Sequence, residues 1–287
     1  MTTVLDALQK GTGYLEKHAV DSPRLTMQLL LAHLLKCGRM QLYVDFERPL
    51  SEEELAQLRD WMRARAQGRP VQHILGTVEF FGREFLCDER ALIPRPETEH
   101  LVDLLAKLEW PEQVKILDMG CGSGVIGLSL AAKLHHLKPE VTLVDRSPEA
   151  LALARENAAK LAANLEGASL TWVESDLFSR VDGRFHLLVA NLPYLSNSDM
   201  RELSREVKRD PEMALHGGER GTEIVERFLQ EAISHAEGGA LAALEVGVEQ
   251  ARILCERAVE FGWSKVEVKK DLENRERFLL VWSEKMG

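Results

Sequence analysis

The segment that most constrains the fold is Lys115-Ile116-Leu117-Asp118-Met119-Gly120-Cys121-Gly122-Ser123-Gly124, a short strand-like run that ends in three alternating glycines. Glycines at this spacing let a chain leave a strand, turn tightly and enter a helix, with backbone that a ligand can approach closely. A strand–loop–helix unit of this kind needs a parallel neighbour. The chain supplies several: Val141–Asp145, Leu170–Val173, Leu187–Ala190 and Leu241–Glu245 read as further strands. Helical patterns lie between them over about 123–136, 148–163, 221–236 and 248–261. Alternating strands and helices imply an α/β domain, a mostly parallel sheet covered on both faces. Lys265–Val268 and Phe278–Trp282, close in sequence across a polar turn, are expected to pair antiparallel near the C-terminus.

The first 70 residues read as all-helical. Val4, Leu5, Leu8 and Leu15 share a predicted helix face, and Ser22-Pro23 reads as a capped start of a second helix running to about Lys36. Ser51-Glu52-Glu53-Glu54 is a capping box ahead of Leu55, Leu58 and Met62, and Gly68 and Pro70 end that helix. Residues 71–95 change character. Val71–Leu75, Thr77–Phe81 and Glu84–Cys87 are short β-prone runs broken by Gly76 and Gly82, as in a small hairpin that connects two domains. The expected division is therefore 1–70, 71–95 and 96–287.

Composition narrows the function class. Net charge is −10 and hydrophobic residues make up 45% of 287, so a substantial core is possible and general adhesion to phosphate backbones or anionic membranes is disfavoured. Four scattered cysteines (Cys37, Cys87, Cys121, Cys255) without a C-x-x-C pair read as reduced thiols of an intracellular protein. The opening Met1–Asp6 lacks a basic region before an apolar run, so no secretory leader is expected, and Leu25–Leu35, with Gln28 and His33, is too short and polar for a membrane span.

Gly122, Gly124 and Gly127 also fit a dinucleotide fingerprint, a weak match taken alone. Asp118, two residues before the first glycine, suits a ligand carrying ammonium and sulfonium charge better than a pyrophosphate, and points to S-adenosylmethionine. Asp145, about 20 residues past the loop at a strand end, is placed to accept ribose hydroxyls in either case. Asp176, after the strand ending at Val173, reads either as an acceptor for an adenine amino group or as a loop aspartate. A glycine turn without a ligand remains the bland alternative.

Asn191-Leu192-Pro193-Tyr194 directly follows the apolar strand 187–190. It can be a simple turn. It also resembles the Asn-Pro-Pro-Tyr signature of methyltransferases acting on planar amino nitrogens. An amide nitrogen is a weak nucleophile because its lone pair is delocalised. Acceptors at Asn191 and at the Leu192 carbonyl would each take one N–H and orient the nitrogen, with Tyr194 stacking on the planar group or walling the pocket. No metal-ligand spacing is evident, and His135-His136 reads as a solvated pair.

Nearly the whole chain resembles the bacterial glutamine methyltransferases of peptide release factors, the HemK/PrmC family. The resemblance rests on Gly68–Gly76, Glu79-Phe80-Phe81, Leu92-Ile93-Pro94-Arg95-Pro96-Glu97-Thr98-Glu99, the glycine loop, Asn191–Tyr194, Asp210-Pro211 through Ala214-Leu215, and Leu244-Glu245-Val246-Gly247. It implies a Rossmann-like class I S-adenosylmethionine-dependent sheet and a helical N-terminal domain that docks the substrate. The implied reaction is methyl transfer to the glutamine amide of the release factors' Gly-Gly-Gln motif. By matching position, Gly120, Cys121, Gly122, Ser123, Gly124 and Asp145 would hold the cofactor with Leu177 against the adenine, joined by Asp118, Asp176 and Asn191. Asn191, Leu192, Pro193 and Tyr194 would hold the glutamine, with Asn191, Pro193 and Tyr194 as the catalytic set. A cytoplasmic monomer without metal, membrane or direct nucleic-acid contact is expected. The chain departs from the family at Leu192, where proline is usual, at Asp210, where glutamate is commoner, and at Asn274, where glycine is commoner. Asn-Leu-Pro-Tyr also occurs in ribosomal RNA adenine dimethyltransferases. Adenine-N6 methylation of RNA or DNA therefore stands as the alternative, encouraged by the cluster Trp61, Arg63, Arg65 and Arg69, and a nucleotide-binding module without catalysis stands as a third.

Overall fold

The computed structural model describes residues 1–285, which divide into two compact units, Met1–Thr77 with Ser204–Arg209, and Val78–Leu203 with the chain from Asp210 onward. The first unit holds five helices: α1 (Val4–Lys17), α2 (Pro23–Leu34), α3 (Gln41–Val44), α4 (Glu52–Ala66) and α5 (Val71–Leu75). Reciprocal capping boxes start α1, through Thr3 and Asp6, and α4, through Ser51 and Glu54. The buried stripe of α1 is Val4, Ala7, Leu8, Gly11 and Leu15. Leu5, expected on that face, is 39% exposed because one residue rotates the helix by about 100°. Ser22 precedes α2 as predicted but makes no cap bond, since its φ of 47° is left-handed whereas a capping serine is extended.

The expected β-run at Val71–Leu75 is instead helix α5. Val71, Ile74 and Leu75 pack into the same core as α1, α2 and α4, and tertiary burial overrides local β-propensity. The arginines beside Trp61 are engaged within this unit: Arg63 pairs with Asp60, the buried Arg65 with Glu206, and Arg69 donates to the His73 carbonyl.

A two-stranded hairpin, β1 (Thr77–Phe80) and β2 (Arg83–Leu86), comes next in the chain and turns at Phe81 and Gly82, both at positive φ as a tight two-residue turn requires. After α6 (Pro96–Ala106), strands and helices alternate: β3 (Lys115–Met119), α7 (Val125–Lys133), β4 (Glu140–Asp145), α8 (Pro148–Lys160), β5 (Ser169–Glu174), β6 (Phe185–Asn191), α9 (Asn197–Glu202), α10 (Glu223–Ala232), β7 (Ala236–Glu245) and α11 (Ala251–Glu260). β8 (Lys265–Lys270) and β9 (Glu276–Trp282) close the sheet. The helices are two to four residues shorter at several ends than the hydrophobic pattern implies. At α7 this is because Gly124, at φ 81°, still belongs to the loop.

Sheet order is β5-β4-β3-β6-β7-β9-β8, all parallel except β9, which runs antiparallel to both its neighbours. Side chains alternate across this sheet and build two cores. Ile116, Val141, Leu143 and Val189 face α6 and α7, whereas Leu117, Val144, Leu188 and Leu244 face α10 and α11. The order reverses between β3 and β6, which lie side by side with Met119 opposite Ala190. Successive strands leave this point in opposite directions, so the loops after β3 and β6 part and leave a crevice at the carboxyl ends of the strands. Among the described residues no helix is long and apolar enough to cross a membrane, and all four cysteines are free thiols.

Candidate active site

A cavity of about 290 Å³ opens at that switch point. The loop after β3 forms one lip: Gly120, Cys121, Gly122 and Ser123 line it. Gly120 has φ 67°, and a Cβ there would stand 2.9 Å from Leu192 Cδ2, so a side chain at this position would strain the turn and push on the opposite lip. Gly122 N–H donates to Asp145 Oδ2 at 2.9 Å and Ser147 N–H to Oδ1 at 2.9 Å, which fixes the carboxylate at the end of β4. Burial raises the Asp145 carboxyl above its usual range, against these N–H groups. Ser147 in turn caps α8 through Ala150 N–H, as its sequence position implies. The Ser123 hydroxyl, buried on the cavity wall, has no protein partner.

Further round, Asp176 and Leu177 follow β5. Asp176 is exposed and ion-paired with Arg227 at 3.4 Å, and Leu177 is buried with φ 46°. Asn191, Leu192 and Pro193 form the opposite lip at the end of β6. Asn191 Nδ2 donates to Thr98 Oγ1 at 3.2 Å, and Thr98 donates to Glu245 Oε2 at 2.7 Å.

Three expected site residues do not line the cavity. Gly124 lies beyond the lip at the start of α7. Asp118 is fully buried beneath the loop, on the face of β3 that packs on α7. Its Oδ2 accepts from Gly127 N–H at 2.8 Å while Oδ1 has no partner. Burial pushes its carboxyl up to about 7, against the Gly127 N–H and with the help of the Asp145 charge. The expectation that Asp118 faces a cationic ligand is therefore corrected: strand register turns it inward and the bare Cα of Gly127 lets the helix close over it. Tyr194 does not line the cavity; its hydroxyl donates to Glu245, and burial pushes its phenol up to about 12. Its carbonyl accepts from Gln250 Nε2 at 2.8 Å. A Cβ on Gly217 would come within 2.6 Å of the Pro193 carbonyl oxygen, so the 215–221 loop clamps the backbone of the second lip.

Sequence reasoning missed the rest of the wall. Arg90 to Arg95 and Pro211 to Ala214 enclose the cavity from the side. Asp210, 1% exposed at its side chain, holds these two segments together: Oδ1 accepts from Ile93 N–H at 3.3 Å and Oδ2 from Arg95 Nη2 at 2.7 Å. Proximity of Arg95 to Asp210 in space, across 115 residues of chain, leaves no local pattern to read.

The residues fit S-adenosylmethionine: a carboxylate fixed by loop N–H groups, with lone pairs to spare for hydroxyls, an unpartnered buried hydroxyl at Ser123 and an apolar wall at Leu177. Comparison with known proteins agrees on the architecture. Residues 6–76 match the PrmC N-terminal domain and residues 97–219 the methyltransferase small domain. A methyltransferase from Pyrococcus furiosus superposes with a TM-score of 0.53 at 19% identity, over 82% of this chain and all of that one. The human Mettl16 catalytic domain does so with 0.55 at 17%, over 81% of this chain and 82% of that one. At such identities the likeness is one of fold. Sequence relatives are nearer. The release factor glutamine methyltransferase of Deinococcus radiodurans is 38% identical over 275 residues, 96% of each chain, and that of Koribacter versatilis 37% identical over 97% of this chain and 98% of its own. A likeness of this extent, through both units and across the whole cavity wall, makes the chain a member of the release factor glutamine methyltransferase family.

Proposed function

We propose that this protein transfers a methyl group from S-adenosylmethionine to the side-chain amide nitrogen of the glutamine in the Gly-Gly-Gln motif of peptide release factors. The observation that carries this reading is Asn191: an uncharged acceptor at the end of β6, on the lip opposite the glycine loop, with its Nδ2 already engaged by Thr98. Its Oδ1 and the Leu192 carbonyl would each accept one N–H of an incoming primary amide. Two such acceptors hold the amide plane at a set angle and disfavour rotation of the nitrogen away from the donor lip. Pro193 stiffens the turn that presents them.

The cofactor would lie along the first lip, with Asp145 on the ribose hydroxyls, Leu177 against the adenine and Gly120 to Ser123 beneath the amino-acid end. It supplies an electrophilic methyl on a sulfonium, so the protein's part is orientation rather than strong general-base catalysis. Asp118 supports this lip from below, through Gly127, rather than touching the ligand. Tyr194 braces the second lip from behind.

The helical unit is the docking element for the release factor, and the enzyme works as a cytoplasmic monomer that does not itself bind nucleic acid. The engaged state of Arg63, Arg65 and Arg69 weighs against a free basic patch for RNA. The test is methyl transfer from labelled S-adenosylmethionine to a purified release factor, its Gly-Gly-Ala variant and ribosomal RNA. Label is expected on the intact factor alone, and Asn191→Ala is expected to abolish it while cofactor binding persists. Label on RNA alone would replace this reading with the adenine one.

A further inference from the structure

Two segments outside the lips, 93–99 and 244–247, converge on Asn191. Glu245 ends β7 directly opposite Asn191 in the strand register. Its side chain is 2% exposed. Thr98, also buried, lies in the first turn of α6 and bridges the two. The relay has a direction. As a carboxylate, Glu245 can only accept, so the single proton of the Thr98 hydroxyl goes to Oε2. Thr98 Oγ1 is then left with acceptor capacity only, and Asn191 must turn its Nδ2 toward it. An amide flipped by 180° would set two acceptors, Oδ1 and Oγ1, against each other. Oδ1 is thereby the atom left for a ligand.

We infer that Thr98 and Glu245 are positioning residues that fix the orientation of the Asn191 amide, and through it select a primary amide or amino group, a donor of N–H, as the acceptor substrate. The inference rests on the role given to Asn191 above. Without the relay the asparagine amide can present either end, and in the flipped state its NH₂ group would repel a substrate N–H. Burial raises the Glu245 carboxyl above its usual range, and Thr98 and Arg277 oppose this by favouring the charged form.

The experiment compares wild type with Thr98→Val, Thr98→Ser and Glu245→Gln. Thr98→Val keeps the shape and removes the hydroxyl. It is expected to lower kcat/KM for the release factor by roughly 10- to 100-fold, a lost buried hydrogen bond plus a misoriented group, with S-adenosylmethionine affinity within twofold of wild type. Thr98→Ser is expected to restore most of the loss, and Glu245→Gln, whose amide can donate to as well as accept from Thr98, to fall between. Thr98→Val at wild-type rate, or Thr98→Ser no better than Thr98→Val, would overturn the inference. Glu245→Gln at wild-type rate would remove Glu245 from it. A second readout does not depend on the substrate. In protein labelled with ¹⁵N-asparagine, the Asn191 side-chain NH₂, assigned by Asn191→Asp, is expected to show one proton shifted downfield and slow to exchange, and to lose both features in Thr98→Val. If wild type leaves release factors unlabelled, the function proposed above fails while this spectrum still decides the relay; a spectrum unchanged in Thr98→Val overturns it.

Discussion

Placing alanine at Gly127 sets two well-known effects against each other at a single methyl group. The position is helical, so alanine gains about 1 kcal/mol of helix propensity over glycine. The methyl, however, would stand 2.9 Å from Asp118 Oδ2, 3.1 Å from Asp118 Cβ and 3.3 Å from Val141 Cγ1, where about 3.5–4.0 Å is comfortable. None of these atoms lies at the end of a flexible chain: Asp118 and Val141 are both in central strands with almost no exposed surface. Relief requires α7 to back away from β3 by roughly half an ångström, and overpacking of this kind costs about 1–3 kcal/mol. The same movement stretches the 2.8 Å bond from Gly127 N–H to Asp118, and a buried hydrogen bond of this kind is worth about 0.5–1.5 kcal/mol. The balance is a loss of about 1–3 kcal/mol, seen as a fall in Tm of roughly 2–10 °C for a chain of this size. Calorimetry and urea titration measure it. The double variant Asp118→Ala/Gly127→Ala removes the 2.9 Å contact with Oδ2 and the bond while the contacts with the residue 118 Cβ and Val141 remain, so the second substitution should cost less there than in wild type without becoming free. A Gly127→Ala protein as stable as wild type, or additive costs in the double variant, would refute the account of how α7 is seated on the sheet.

Other outcomes follow from the same geometry. Because burial raises the Asp118 carboxyl to about 7 from 3.8, the native state holds a proton between those values that the unfolded chain releases, and its stability falls as pH climbs through this window. Asp118→Asn lacks that dependence, so its urea midpoint relative to wild type should rise from pH 4 to 7 and level off above; a constant difference would contradict it. Gly120→Ala combines φ 67° with a methyl 2.9 Å from Leu192 Cδ2, costs about 2 kcal/mol or more, and should weaken S-adenosylmethionine binding at least tenfold by calorimetry, with partial recovery in Gly120→Ala/Leu192→Ala. Asp210→Ala frees both Ile93 N–H and Arg95, and with Arg95 a third exposed the expected loss is about 1–3 kcal/mol, together with weaker cofactor affinity, as read by thermal shift with and without ligand.

The parallel sheet was legible because its central strands are mostly apolar, wholly so at 187–190 and with an aspartate closing the runs at 116–118 and 141–145, and burial on both faces demands that pattern. Val71–Leu75 shows its limit: a short β-branched run belongs to whichever core receives it, and here the helices do. In the site, contiguous pieces could be read, namely the glycine loop, Asp145 and the Asn191–Pro193 lip. Residues that act across the fold could not. Thr98 lies 93 residues from Asn191 and 147 from Glu245, and Asp210 lies 117 from Ile93, so only the completed sheet shows that they meet. Asp118 was read for its charge and its distance from the glycines. The parity of the strand, which turns it under the loop, was the stronger fact.

Leu192 gains a second meaning from its contact with Gly120. The two lips come from strands paired side by side in fixed register, and the leucine side chain is the gauge block between the loops they carry. Its length, set against the bare Cα of Gly120, decides how near the two lips stand. Because Leu192 is buried in the same core as Met119 and Ala190 at the two strand ends, a change of size at this position is felt by both lips at once, while its main-chain carbonyl stays where the turn holds it.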